Sequence, residues 1–334
     1  MSANIFAVSI NEPWEIAVVW VAAFLAIGII SIFPALVVTI FCHTMYRSPK
    51  KKRTRECTDK KDESQMRMFA EGVTWAEQFK DITEQLHIVN DGLNQYGEYI
   101  NFGFDKCAVI LQGRSESLLY SYYFADVYAK NGYNILVVDF RANGFSDGKY
   151  STMGIKESDD LVLWIKLIKE RYRIDDFTVH GVCIGGAAAI YAYLKLKQQG
   201  LPLIKKIVTD GLFKSPYEIF KYNFKKYKGP IFPVLHLVFL LAFLLAKVRL
   251  FSETPMKYMK DIDIPILFIW SVKDMFCIEP KSRELFEACA SKDKELCFFP
   301  EGRHSHVRSV QAAEYDKVIE KFLSDKALIQ SEVD

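Results

Sequence analysis

Residues 16–46 carry no formally charged side chain, and Val, Ile, Leu, Phe and Ala dominate them. Such a run exceeds the ~20 apolar residues that a helix needs to cross a bilayer, so it predicts a transmembrane anchor within residues 1–46. Arg47, Lys50, Lys51, Lys52, Arg53 and Arg55 follow at once, while residues 1–14 hold no Lys or Arg. A cleavable leader starts basic and has a shorter apolar stretch, so a retained single-pass anchor is expected. Basic flanks stay on the cytoplasmic side, which predicts a tether in the cell membrane with the rest of the chain facing the cytoplasm. Residues 47–65 are rich in Lys, Arg, Asp, Glu, Ser and Thr with almost nothing apolar. They read as a basic, flexible linker near the bilayer surface.

From residue 66 the pattern changes, and one domain is expected over residues 66–330. Phe69, Val73, Ala76 and Phe79 recur at helical spacing and predict a helix over 68–84. Alternating runs at 86–89 and 95–101 flank Asn90-Asp91-Gly92, a hairpin signal. Apolar strands are then expected at 107–111, 134–140, 177–179, 205–210, 265–270 and 295–299. Helices at 118–130, 155–172, 187–196, 279–290 and 309–323 separate them, the second with an inward stripe of Leu161, Trp164, Ile165 and Ile168. This alternation predicts an α/β fold, a mostly parallel sheet with helices on both faces.

Residues 213–258 break the alternation. Their first part is basic and aromatic, and 231–246 is uncharged and dense in Leu, Val and Phe, bordering on a second span by length. A crossing there would put everything after residue 247 on the far side of the membrane from Cys183. Two readings stay open: an apolar lid resting in the membrane interface, or a buried helical hairpin with no lipid role.

Charge adds little, since 43 Lys and Arg against 41 Asp and Glu leave a net +2 and no sign of nucleic-acid binding. The seven cysteines, Cys42, Cys57, Cys107, Cys183, Cys277, Cys289 and Cys297, are odd in number and form no C-x-x-C pair. Reduced thiols fit that pattern better than a disulfide framework or a zinc site.

The chemistry gathers at His180-Gly181-Val182-Cys183-Ile184-Gly185-Gly186, a G-x-C-x-G pattern between a strand and a small-residue helix. That is the context of a nucleophile elbow, which lifts Cys183 above the sheet's carboxyl edge. An activated nucleophile needs a base and an orienting acid, which follow in the order nucleophile, acid, base on this kind of sheet. Asp274 stands just past the strand at 265–270, and His304 just past the strand at 295–299. His306 competes with His304 as base. Two backbone donors must face the developing oxyanion. Ile184 N–H is one candidate, and Arg114 N–H, in the Gln112-Gly113-Arg114 loop, is the other.

Longer blocks carry a family resemblance. Gln112-Gly113-Arg114-Ser115-Glu116-Ser117 resembles the H-G-R-x-E-S loop of lysophospholipase-like hydrolases. Asp139 to Tyr150 is similar to their D-x-R-x-x-G-x-S-x-G-K-Y block, continued by Gly154, Glu157 and Asp160. The chain thus resembles the α/β-hydrolase superfamily and its lysophospholipase-like and serine aminopeptidase-like members, from about residue 91 to 323. It departs from them in having Cys where they carry Ser, and Gln112 where they carry His. Its G-x-C-x-G-G elbow is also similar to that of polyhydroxyalkanoate synthases, whose other blocks are missing. The resemblance implies hydrolysis of a small-molecule ester or thioester, and the expected mechanism needs no metal or cofactor; the anchor and the apolar insertion, taken as a helical lid at 213–258, favour a lipid-like acyl substrate at the membrane. Acyl transfer from Cys183, or a binding scaffold with little turnover, remain the alternatives.

Overall fold

The computed structural model describes residues 12–47, 56–226, 228 and 231–324. The apolar run forms one helix, α1 (Pro13–Thr44), 32 residues long with Pro34 inside it. At 1.5 Å per residue that is ~48 Å, more than the ~30 Å hydrocarbon core. No residue of α1 before Val37 is buried, and its C-terminal part, with Phe33, Val37, Ile40, Phe41 and the following Met45, packs on the domain.

After α1 come α2 (Glu63–Gln78), the hairpin β1 (Thr83–Asn90) and β2 (Leu93–Ile100), and β3 (Lys106–Leu111). Then follow α3 (Leu118–Tyr122), α4 (Ala125–Lys130), β4 (Asn134–Val138), α5 (Glu157–Tyr172), β5 (Asp176–Val182), α6 (Ile184–Gln198) and β6 (Ile204–Asp210). The insertion contributes α7 (Pro216–Lys226), α8 (Val234–Leu241), a π-helical turn (Ala242–Ala246) and α9 (Pro255–Tyr258). The chain closes with β7 (Ile266–Ser271), α10 (Glu279–Ala288), β8 (Lys294–Phe299) and α11 (Ala312–Leu323).

The eight strands lie in the order β1-β2-β4-β3-β5-β6-β7-β8. β2 pairs antiparallel with β1 and β4, and every pairing from β4 to β8 is parallel. This is the mostly parallel sheet that the alternation predicted. The central strands are apolar on both faces because helices cover both. The Leu161, Trp164, Ile165 and Ile168 stripe of α5 is buried as the periodicity required. α6 is buried almost throughout, and its Ala187, Ala188 and Ala189 let it lie close to the sheet.

Three elements differ from expectation. The helix over 118–130 is two helices with a break at Tyr123–Phe124, whose rings are buried in the core. The helix over 68–84 starts earlier, at Glu63, because Asp62 caps it by accepting from the N–H groups of Ser64 and Gln65 at 3.1 and 3.2 Å. It also ends earlier, since Thr83 onward pairs with β2. The expected linker is therefore partly domain. Arg47 is buried, Thr58 N–H donates to Tyr120 Oη at 2.9 Å, and Ser64 and Gln65 reach the loop before α11; residues 48–55 lie outside the described residues.

The block between β4 and α5 is a polar framework. Asp139 accepts from Leu118 N–H at 2.8 Å and Phe145 N–H at 2.9 Å, and Glu157 from Thr152 N–H at 2.7 Å and Gly154 N–H at 3.0 Å. Arg141 grips Asp160 with two hydrogen bonds, 2.8 and 2.7 Å, both side chains buried. Hydrogen-bonded carboxylates and a buried ion pair of this kind fix loop geometry in a low-dielectric interior.

Candidate active site

β5 ends at Val182, α6 starts at Ile184, and Cys183 between them has φ 52° and ψ −107°. A non-glycine residue in that region is strained, and here the surroundings impose it. Cys183 N–H donates to Asp210 C=O at 2.8 Å, tying the turn to β6. A Cβ on Gly181 would lie 2.2 Å from Gly185 C, and one on Gly185 would lie 2.7 Å from Leu111 C=O. Neither position admits a side chain, so the elbow's two glycines are steric requirements.

His304 Nδ1 and Asp274 Oδ2 are 2.7 Å apart. Asp274 Oδ1 accepts from Phe276 and Cys277 N–H groups, both at 2.8 Å. The carboxylate is thus fixed by three donors, and it fixes the imidazole. Burial pushes the His304 pKa down, yet the Cys183 sulfur, the Asp274 carboxylate and the Cys277 sulfur outweigh it and hold the group well above the usual histidine value. Cys183 and His304 line one cavity of about 410 Å3 with Gly113, Arg114, Glu116, Phe276 and His306. Among the described residues the Cys183 sulfur makes no hydrogen bond to the imidazole, the loose geometry common in unliganded sites.

His306 has a different role from His304. Its Nδ1 meets Ser64 Oγ at 2.6 Å and its Nε2 meets Gln65 Nε2 at 3.1 Å, so α2 occupies both ring nitrogens. Burial, with Arg303 and His304 nearby, lowers its pKa to about 4.

Gly113 N–H donates to Glu116 Oε2 at 2.8 Å, which removes that donor from the loop after β3. Arg114 N–H and Ile184 N–H are engaged by no side chain or loop carbonyl among the described residues. As the first residue of α6, Ile184 presents one of the N–H groups that a helix leaves without an internal partner.

Two groups had no signal as site residues in the sequence. Asp210 ends β6 inside the core, accepts from Tyr315 Oη at 2.8 Å, and has its pKa raised to about 7 by burial. Tyr315 Oη also lies 3.2 Å from Nε2 of the buried His180, whose pKa burial lowers to about 3. Cys277 is the other. Its sulfur, one His304 nitrogen and one Asp274 oxygen lie within 4.8 Å of one another, a donor set a thiophilic cation could use, though the hydrogen bonds above already satisfy the carboxylate. A larger opening of about 760 Å3 beside the site, lined by Asp59, Lys61, Arg67 and Ser309 among others, does not include Cys183 or His304.

The sequence matches the family model described as alpha/beta hydrolase fold over residues 109–228. The YqkD protein of Bacillus subtilis is 24% identical over 219 residues, 65% of this chain and 70% of its own length. The membrane protein YNL320W of Saccharomyces cerevisiae is 25% identical over 202 residues, 60% of this chain and 64% of its own length, so the match spans less than two thirds of that relative. Among solved structures, the Pyrococcus furiosus esterase Pf2001 superposes with a TM-score of 0.61 at 23% identity, covering 74% of this chain and 92% of the esterase. An esterase from Exiguobacterium antarcticum gives 0.53 at 16% identity, covering 72% and 99%.

Proposed function

Taking as premise that the chain has the α/β-hydrolase fold, we propose that it is a membrane-tethered hydrolase of carboxylic esters or thioesters, working through Cys183, His304 and Asp274. The observation that carries this reading is the Asp274–His304 contact at 2.7 Å, with the buried Asp274 behind His304 and with His304 and Cys183 lining one cavity. His304 Nε2 takes the thiol proton, and the sulfur attacks the acyl carbon. Asp274 holds the ring by Nδ1 and offsets the imidazolium charge. Ile184 and Arg114 N–H groups take the oxyanion. On collapse His304 returns the proton to the leaving alcohol or thiol. Water, deprotonated by the same imidazole, then cleaves the acyl–sulfur bond and releases the acid.

A lipid-like acyl substrate is favoured because a long, mostly apolar helix ends beside the cavity, as Arg114 of the cavity wall donates to Thr44 C=O at the end of α1. The basic residues from Arg47 to Arg55 support a cytoplasmic catalytic domain, and the match to a yeast membrane protein accords with a membrane setting. A second reading rests on the nucleophile itself: an acyl-thioester at Cys183 suits transfer to an amine or thiol as well as to water. The test is p-nitrophenyl ester turnover by the full chain in nanodiscs. A burst of p-nitrophenol is expected, lost by about 1,000-fold or more in Cys183→Ala and His304→Ala without loss of fold. Wild-type turnover in both variants refutes the mechanism.

A further inference from the structure

The end of α1 does not simply hand the chain over to the domain. Arg114, in the loop that offers an oxyanion donor, sends Nη2 to Thr44 C=O at 2.8 Å. Thr44 is the last residue of α1, where carbonyls lack helical partners and a cation is favoured. Arg114 makes no ion pair with a carboxylate among the described residues, and its Nε is fully shielded, so this carbonyl is its polar anchor. A second arginine crosses the other way. Arg47 Nη2 donates to Ser115 Oγ at 3.3 Å, and Ser115 has φ 85°, a conformation that L side chains rarely hold without support. The same stretch is pinned to the adjoining loop by Arg47 N–H to Lys149 C=O at 2.6 Å and Ser151 N–H to Met45 C=O at 2.9 Å. The Tyr150 ring packs 5.8 Å from Phe41 and 5.9 Å from Tyr46.

We propose that the inner end of the membrane helix is a working part of the active site, and that Arg47 and the Arg114 side chain are positioning residues that set the oxyanion loop against Thr44. The inference rests on the hydrolase reading above. Its content is that the bilayer anchor and the oxyanion donor form one rigid unit, so that a tilt of α1 in the membrane is felt at the donor. Displacing an oxyanion donor weakens transition-state stabilisation and leaves ground-state binding and thiol chemistry in place.

The test uses the full chain in nanodiscs with Arg47→Met, Arg114→Met and Arg114→Lys. Lys50, Lys51, Lys52, Arg53 and Arg55 keep the basic flank in every variant. Three quantities are read: the acylation burst rate, KM, and the rate of iodoacetamide labelling at Cys183 mapped by mass spectrometry. The expected result is a burst about tenfold slower in both methionine variants, with KM and Cys183 labelling within about twofold of wild type. Arg114→Lys, which can still donate to the carbonyl, is expected to recover part of the rate. A wild-type burst in Arg47→Met and Arg114→Met overturns the proposal while leaving the hydrolase reading intact. Labelling and melting temperature that collapse together with the burst also overturn it, because the arginines are then merely structural. If the wild-type chain gives no burst at all, the hydrolase reading fails and takes this inference with it.

Discussion

The sheet edge around Cys183 and the apolar insertion around α8 are both built from buried hydrophobic chain, yet they tolerate change very differently. At the elbow, backbone packs on backbone, and the geometry leaves less than 3 Å for any added carbon at Gly181 or Gly185. In the insertion, one face of the 234–246 helical run is buried through Val234, Leu235, Val238, Phe239, Ala242 and Ala246. The other face leaves Leu240, Phe243, Leu244 and Leu245 about half exposed, although α8 itself packs on α1. The first region is specified by shape and the second by polarity. A helix apolar all round is at home in a core or a bilayer, and this one is only half covered by protein.

The sharpest break of that contrast is Gly185→Val, which drives a branched side chain into Leu111 C=O and the Gln112 carbonyl. It should destabilise by about 4 kcal/mol or more, read as loss of the folded species in thermal unfolding. Leu235→Ala against Leu244→Ala divides the insertion's own faces. Leu235 is fully buried and should cost about 2–4 kcal/mol, whereas Leu244, 48% exposed, should cost less than about 0.5 kcal/mol in detergent. Equal losses would mean that the exposed face is packed after all. The smallest effect concerns pH. Asp210 has its folded pKa raised to about 7, above the ordinary carboxylate value, so its protonated form is favoured by folding. Its contribution is fully present below about pH 4 and lost as pH rises through 7. The melting temperature of Asp210→Asn relative to wild type should therefore climb between pH 4 and pH 7, and a flat difference would contradict the assignment.

What the sequence revealed follows the same division. The elbow was legible because its requirements are local: a strand, two glycines four residues apart, and a small-residue helix. The order Cys183, Asp274, His304 was expected because strand ends on a parallel sheet converge on one edge, and of that set the structure brings Asp274 and His304 to 2.7 Å of each other. The block at 139–160 proved informative about framework, since Asp139, Arg141, Glu157 and Asp160 hold loops and do not line the cavity around Cys183, whereas the block at 112–117 puts Gly113, Arg114 and Glu116 in its wall. The rest depended on partners remote in the chain. Arg114 meets Thr44 across 70 positions, Tyr315 meets Asp210 across 105, and His306 meets Ser64 across 242. No periodicity encodes those pairings. The polar residues at 56–65 looked like linker because their partners are polar too, and hydrophobicity is blind to such docking.

The most direct test of the central claim is to quench the full chain within the burst of p-nitrophenyl ester turnover and map the acyl group by peptide mass spectrometry. The account predicts one stoichiometric acyl adduct on Cys183, persistent in Asp274→Asn. An adduct on Cys277 or Cys57 with Cys183 unmodified, or turnover with no covalent acyl group on the chain, would contradict it.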